Sequence, residues 1–272
     1  MKILISTDIE GVAGVVHAEQ TRPGNPEYER ARLRMADEAS AAVAGAFDGG
    51  ASAVLVNDSH GHFRNLPPDR LDPRAQVIQG KPRYLSMMAG VDDGVQGVCL
   101  IGYHSRAQGR GILAHTISSF AFARVFLNDA EVGEAGLYGA LAGEYGVPVI
   151  MGSGDDVFIA EHRPLFPQAV FVQTKRATGH ASGISLSPAE ACRAIRQGVA
   201  SALASRAAMH PRVVDAPVQL RVQTHSPGMA DLFCQWPTLR RLAGDEIGFD
   251  APTVEAGVRM LNCLSAMATA LR

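Results

Sequence analysis

Acidic and imidazole side chains follow three short apolar runs in the first half of the chain. Asp8 and Glu10 stand in TDIEG after KILIS, His60 stands in NDSHGH after AVLV, and His104 stands in GYHS after GVCLI. Residues two apart in an extended segment lie on one face, so Asp8 and Glu10 would bring two like charges together. A bound cation would relieve that repulsion, and the pattern therefore indicates a metal site.

These side chains can meet if the three apolar runs are neighbouring parallel strands, because the carboxyl ends of such strands open onto the ligand crevice. Glu134, in NDAEVGEAG, begins a predicted helix and could add a carboxylate from the side. His62 competes with His60, which we favour because it lies closer to its strand. Without a metal, Asp8 would cap a turn and Glu134 would be an acid favoured by the helix dipole.

Three carboxylates and two imidazoles would serve a pair of divalent ions, with Asp8 well placed to bridge them. Nitrogen and oxygen ligands without thiolates suit zinc, with manganese or cobalt as alternatives and magnesium less suited. Two metals about 3.5–4 Å apart polarise a carbonyl and lower the pKa of a bound water, which favours hydrolysis. His115, in GILAHTISS, would either move a proton or be a buried histidine bonded to backbone.

The elements that must position these residues are visible as apolar runs alternating with helical stretches. This alternation predicts parallel strands joined by crossover helices, and runs that are apolar throughout indicate a mostly parallel α/β sheet covered by helices on both faces. One helix is predicted from Glu27 to Phe47, ending at Gly49-Gly50. Asn128-Asp129, between two β-rich arms, is a modest hairpin signal.

The last third carries few clustered acids or histidines. Beyond Ser187-Pro188 it contains a predicted amphipathic helix, PAEACRAIRQGVASALASR, then a strand, PVQLRVQTH, and a closing helix, APTVEAGVRMLNCLSAMATALR. We therefore expect a metal-binding catalytic α/β domain over residues 1–180. A smaller C-terminal α/β portion over residues 181–272 is expected to serve packing and oligomerisation.

Composition and charge limit the classes of partner that the protein is expected to bind. The chain of 272 residues is 47% hydrophobic and 19% charged, which suits an ordered globular protein. A formal charge of -2 without a dense Lys/Arg run gives no bulk attraction to nucleic acid or to an anionic membrane. No apolar run approaches the roughly 20 residues of a membrane span, and acids come too early for a signal-peptide core, so we expect a cytoplasmic protein. The four cysteines form no C-x-x-C pair.

The ordered series TDIEG, LVNDSH, GYH, AHT and VGEAG resembles the zinc-dependent D-aminopeptidase family, which is associated with bacterial dipeptide-transport operons. YERARLRMADEASAAVAGAF, GLYGALAGEYGVPV and SGDD extend the resemblance, which is weaker in the last third. The resemblance implies two zinc ions per subunit bridged by Asp8, one of them bound by Glu10 and the other by His60, His104 and Glu134. It places the catalytic histidine at His115. It also implies an α/β fold and a decamer of two stacked pentameric rings whose channel admits short peptides.

The leading hypothesis is a dinuclear zinc aminopeptidase acting on short peptides with a D-residue at the amino end. One alternative is a metal-dependent phosphohydrolase, although the magnesium of D-x-D phosphatases suits two histidines poorly. The other is a short-peptide-binding protein without turnover; neither GVAGVV nor GSGDD completes a nucleotide-binding G-x-G-x-x-G. Asp58, Asn128 and the Gly133 amide are expected to orient ligands or to stabilise an oxyanion.

Overall fold

The computed structural model describes residues 1–272, which form two sheets and six α-helices. The strands are β1 (Lys2–Thr7), β2 (Ala53–Asp58), β3 (Ala75–Ile78), β4 (Val98–Ile101), β5 (Phe122–Leu127), β6 (Ala130–Glu131), β7 (Val149–Asp155), β8 (Val170–Gly179), β9 (Ser182–Ser185), β10 (Val218–Thr224), β11 (Arg240–Ala243) and β12 (Glu246–Ala251). The helices are α1 (Pro26–Asp48), α2 (Glu134–Glu144), α3 (Asp156–His162), α4 (Pro188–Ala204), α5 (Pro227–Phe233) and α6 (Val254–Met267). No helix is both long enough and apolar enough to cross a bilayer.

The first sheet has the strand order β3-β2-β1-β4-β7-β8-β9 and is parallel apart from β9. Side chains alternate between its faces: Ile3 and Ile5 pack in one core with α1 and α4, whereas Leu4 lies in a second core with residues of α2 and α3. Both faces are therefore covered. The predicted α/β fold with a mostly parallel sheet is confirmed.

The first helix shows how the local sequence sets the elements. Asn25 caps α1, because its side-chain oxygen accepts the N–H groups of Glu27 and Tyr28, each at 3.0 Å. Gly49 caps the C-terminal end of the helix, and Gly50 follows with a φ of 89° that favours glycine. The predicted helix from Glu27 to Phe47 is thus confirmed to within one residue at each end.

The second sheet is antiparallel, with the order β11-β12-β10-β5-β6. The predicted hairpin at Asn128 is its β5-β6 pair, and Asn128 has a φ of 53° in the turn. Strands from both sides of residue 180 form this sheet, and residue 180 itself falls in the turn between β8 and β9. The expected division at 180 therefore does not separate the two sheets. The role of residues 181–272 in assembly stays a prediction.

Candidate metal centre

Three of the predicted metal ligands follow the ends of three neighbouring strands. β1 lies between β2 and β4 in parallel register, so Asp8, His60 and His104 all follow strand ends at one edge of the sheet. Backbone hydrogen bonds continue this pairing into the loops, since the Asp8 N–H donates to the Ile101 carbonyl at 2.8 Å. The expected convergence of these residues is observed, and the exposed His62 lies outside the cluster.

Asp8 lies between two imidazoles. Its Oδ1 is 3.2 Å from Nδ1 of His60, and its Oδ2 is 3.4 Å from Nε2 of His104. The carboxylate is buried, and Oδ1 also accepts the N–H of Ile9 at 2.9 Å. A carboxylate with one oxygen toward each imidazole is placed to bridge two cations.

Each imidazole has a second acid beside it. Oε2 of Glu10 is 3.1 Å from Nδ1 of His60, and Oε2 of Glu134, the first residue of α2, is 3.4 Å from Nε2 of His104. These contacts group His60 with Glu10, whereas the family resemblance groups His60 with His104 and Glu134. The two groups are adjacent, because ligand atoms of Asp8, Glu10 and His104 lie within 4.8 Å of one another.

Backbone carbonyls fix the orientation of both imidazoles. Nε2 of His60 is 2.8 Å from the Thr21 carbonyl, and Nδ1 of His104 is 2.9 Å from the Ser105 carbonyl. A carbonyl only accepts, so these nitrogens carry the protons of the neutral rings. The remaining nitrogens then aim their lone pairs at carboxylates, which is repulsive unless a proton or a metal ion lies between them. Outer hydrogen bonds of this kind are typical of metal-binding histidines.

The electrostatics of the cluster favour positive charge. Burial opposes protonation of His60 and His104, but Glu10 beside the first and Glu134 beside the second outweigh it, together with Asp8, and hold both pKa values well above the usual range. Burial and the Glu10 charge raise the pKa of Asp8. Burial also opposes the Glu10 charge, yet His60 holds the pKa of Glu10 well below its usual range.

Two buried atoms of the cluster have no hydrogen-bond partner, Oε2 of Glu10 and Nε2 of His104. An unsatisfied buried polar atom costs about 1–3 kcal/mol, more when it is charged. Both atoms point into the space between the acids and imidazoles, where a metal ion would satisfy them. The donor set holds carboxylate oxygens and imidazole nitrogens and no thiolate. These residues therefore fit a centre of divalent metal ions.

His115 stands at the edge of this cluster. Its ring stacks on that of His104, its Nε2 is 3.6 Å from Oε1 of Glu134, and its Nδ1 is 2.9 Å from the Leu113 carbonyl. The same Glu134 oxygen accepts the N–H of Ile117 at 2.6 Å, which ties the loop of His115 to α2. The His115 side chain is 21% exposed, so it can meet a substrate.

Of the three outer residues expected from the sequence, only Asp58 contacts the metal-binding cluster through its neighbours. The Asp58 carboxylate accepts the N–H of Asn65 at 2.5 Å, and the Asn65 side chain donates to the His60 carbonyl at 2.7 Å, so Asp58 does help to hold the His60 loop. Asn128 instead accepts the N–H of Gln219 in the second sheet. Gly133 packs against Arg106, which leaves no space for a Cβ.

Sequence reasoning missed three residues that support the site, Asn65, Asp155 and Lys175. Asp155 ends β7 and its Oδ2 accepts the N–H of Ile112 at 2.7 Å, which fixes the segment before His115. Its position at a strand end was a usable signal. No sequence signal pointed to Asn65 or Lys175, because their contacts depend on how distant loops pack.

Comparison with known proteins identifies the family of the chain. A family model described as D-aminopeptidase, peptidase family M55, matches residues 1–263. A D-aminopeptidase of Bacillus subtilis strain 168 is 36% identical over 269 residues, covering 98% of this chain and 95% of the relative. The solved structure of Zn-dependent D-aminopeptidase DppA from Bacillus subtilis, described as a self-compartmentalizing protease, superposes with a TM-score of 0.96 at 31% identity, covering 99% of this chain and 98% of that one. The chain therefore belongs to the D-aminopeptidase family.

Proposed function

We propose that the protein is a dinuclear zinc aminopeptidase that removes the N-terminal residue, a D-amino acid, from short peptides. The observation that carries the proposal is the Asp8 carboxylate, whose two oxygens face the imidazoles of His60 and His104. Burial of this arrangement would be unfavourable without cations. The zinc dependence of the structurally similar DppA supports the choice of metal.

Asp8 would be shared by both ions, with Glu10 and His60 completing one set of ligands and His104 and Glu134 the other. Two zinc ions bound there supply Lewis acidity for the scissile carbonyl and lower the pKa of water to near neutrality. The Thr21 and Ser105 carbonyls keep the imidazole lone pairs pointed inward, so the ligand positions are set before binding.

His115 would act first as general base and then as general acid. The Leu113 carbonyl holds the proton on Nδ1, so Nε2 keeps its lone pair and can accept a proton from the attacking water. Glu134, whose Oε1 is 3.6 Å from Nε2, would stabilise the resulting imidazolium. The same Nε2–H would then be donated to the departing amine. Proton transfer of this kind contributes about 10²–10⁴ to the rate.

The similarity to a self-compartmentalizing protease supports a homo-oligomer, and we propose the decamer of two pentameric rings that the family resemblance implies. Enclosure of the active sites in such an assembly would restrict substrates to short peptides. We place the assembly in the cytoplasm, with no nucleic-acid or membrane partner. Light scattering coupled to size exclusion tests the assembly, which should contain ten subunits of 28.8 kDa.

The decisive experiment measures bound zinc and then offers matched D-alanyl and L-alanyl dipeptides before chelation, after chelation and after zinc is returned. Two zinc ions per subunit, preference for the D-series and activity that follows the metal are expected. Cleavage that persists after chelation would refute the mechanism. Inertness toward both dipeptides with zinc bound would favour the phosphohydrolase, tested with a phosphate ester, or peptide binding without turnover.

A further inference from the structure

A buried ammonium holds the loop that carries Glu10. Lys175 is 2% exposed, and no carboxylate lies within ion-pairing distance of its Nζ. The ammonium instead donates to two backbone carbonyls, those of Glu10 at 2.5 Å and Val15 at 2.6 Å. Burying a charge is unfavourable unless the charge is paired or hydrogen-bonded, so the ammonium depends on these two carbonyls and holds them in turn.

A register shift in β8 aims this side chain. Gly154 of β7 pairs with Gln173, and Asp155 pairs with Lys175, which leaves Thr174 as an extra residue between them. Such bulges re-aim side chains and are frequent beside active sites. Here Thr174 donates to the Gly11 carbonyl at 2.7 Å while Lys175 reaches the carbonyl of Glu10. Two successive residues of β8 thus bind successive carbonyls of the loop.

Other groups also hold the loop, each at a single residue. The Gly11 N–H donates to the Gly102 carbonyl at 2.7 Å, and the Ala13 N–H donates to the buried Glu38 carboxylate at 2.8 Å. Lys175 alone joins the two ends of residues 10–15 through one group. Its hydrogen bond at residue 10 is made to the backbone carbonyl of Glu10, a proposed metal ligand.

We propose that Lys175 is a positioning residue that fixes the Glu10 carboxylate for metal binding. The inference rests on the proposed function, because it assigns Glu10 to one ion of the pair. The ammonium anchors the backbone carbonyl of Glu10, and the anchored backbone keeps the Glu10 carboxylate beside His60, 3.1 Å from its Nδ1, where an ion would bind. A purely structural role would lower stability without changing the affinity for metal.

The test compares zinc binding by Lys175→Met with that of the wild type. Zinc-free protein is titrated against a chromophoric zinc chelator, and circular dichroism checks that the zinc-free variant is folded. We expect the ion that Glu10 binds to be weakened about 10- to 100-fold, as for other outer residues of metal sites, while the ion bound by His104 and Glu134 keeps its affinity. If Lys175→Met does not fold, Lys175→Gln is titrated in its place, and the same loss of affinity for one zinc ion is expected.

Leu261→Ala provides the matched control, since Leu261 is a fully buried residue of α6 and belongs to a different core from the loop residues Val12 and Val15. This truncation should destabilise the protein and leave both zinc affinities intact. Unchanged zinc binding by the Lys175 variant, or equal weakening in Leu261→Ala, would overturn the inference. A wild-type protein that binds no zinc would overturn the proposed function as well, so the two failures are distinguishable.

Discussion

The rings of His104 and His115 are stacked, with centroids 4.1 Å apart and planes 11° from parallel. Only the first is enclosed by acids, with Asp8 and Glu134 each 3.4 Å from its Nε2. The second approaches Glu134 alone, at 3.6 Å. The stack therefore puts a proposed metal ligand, His104, in contact with the proposed proton carrier, His115.

Replacing His115 by Ala should lower kcat by about 10²–10⁴ and leave the zinc content unchanged, because proton transfer is lost while all five proposed metal ligands remain. Steady-state kinetics and metal analysis on one preparation check both statements. The variant also tests a competing assignment, since His104, His115 and Glu134 offer ligand atoms within 4.8 Å of one another and could hold a metal together. Loss of one zinc ion would make His115 a ligand.

Asp8 and Glu10 should differ in how much metal their loss releases. Asp8 faces both imidazoles, so Asp8→Asn should abolish binding of both ions, whereas Glu10→Gln should lose the one beside His60. Zinc stoichiometry by elemental analysis distinguishes them. Asp93→Asn, which removes an exposed acid paired with Lys2, is the control and should retain both ions. Equal losses from the two site variants would contradict a bridging Asp8.

The convergence of the proposed ligands was predictable from the sequence because their positions obey a local rule. Each apolar run ends where a strand ends, and parallel order brings those ends to one edge. The grouping of His60 with Glu10 was not predictable, because the His60 ring is oriented by the Thr21 carbonyl, and the sequence does not show how the segment between β1 and α1 folds back over His60. The second sheet was hidden for a similar reason: β5 pairs with β10 from far along the chain, and alternation along a strand does not name its partner.

Gly11→Ala should disrupt the loop of residues 10–15, which carries Glu10. A Cβ at Gly11 would lie 2.0 Å from the Tyr103 carbonyl oxygen and 2.4 Å from the Gly102 carbonyl carbon, so the loop would have to leave the end of β4. We expect a loss of about 1–3 kcal/mol in the free energy of unfolding, together with weaker zinc binding. Gly244→Ala is the control, because nothing lies within 4 Å of its added Cβ. If both variants bind zinc like the wild type, the close approach does not matter.

His162 should make the free energy of unfolding depend on pH. Burial between Phe158 and Phe166 lowers its pKa to about 4 from 6.5, so the folded state resists protonation. The stability from neutral His162 is therefore complete above pH 6.5 and is lost as pH falls toward 4, in total about 3 kcal/mol. Denaturant unfolding of zinc-free protein should show a smaller acid loss in His162→Leu than in the wild type. His210→Leu, at an exposed position, should leave the profile parallel to that of the wild type. Parallel profiles for His162→Leu as well would mean that the buried imidazole accepts its proton without unfolding the chain.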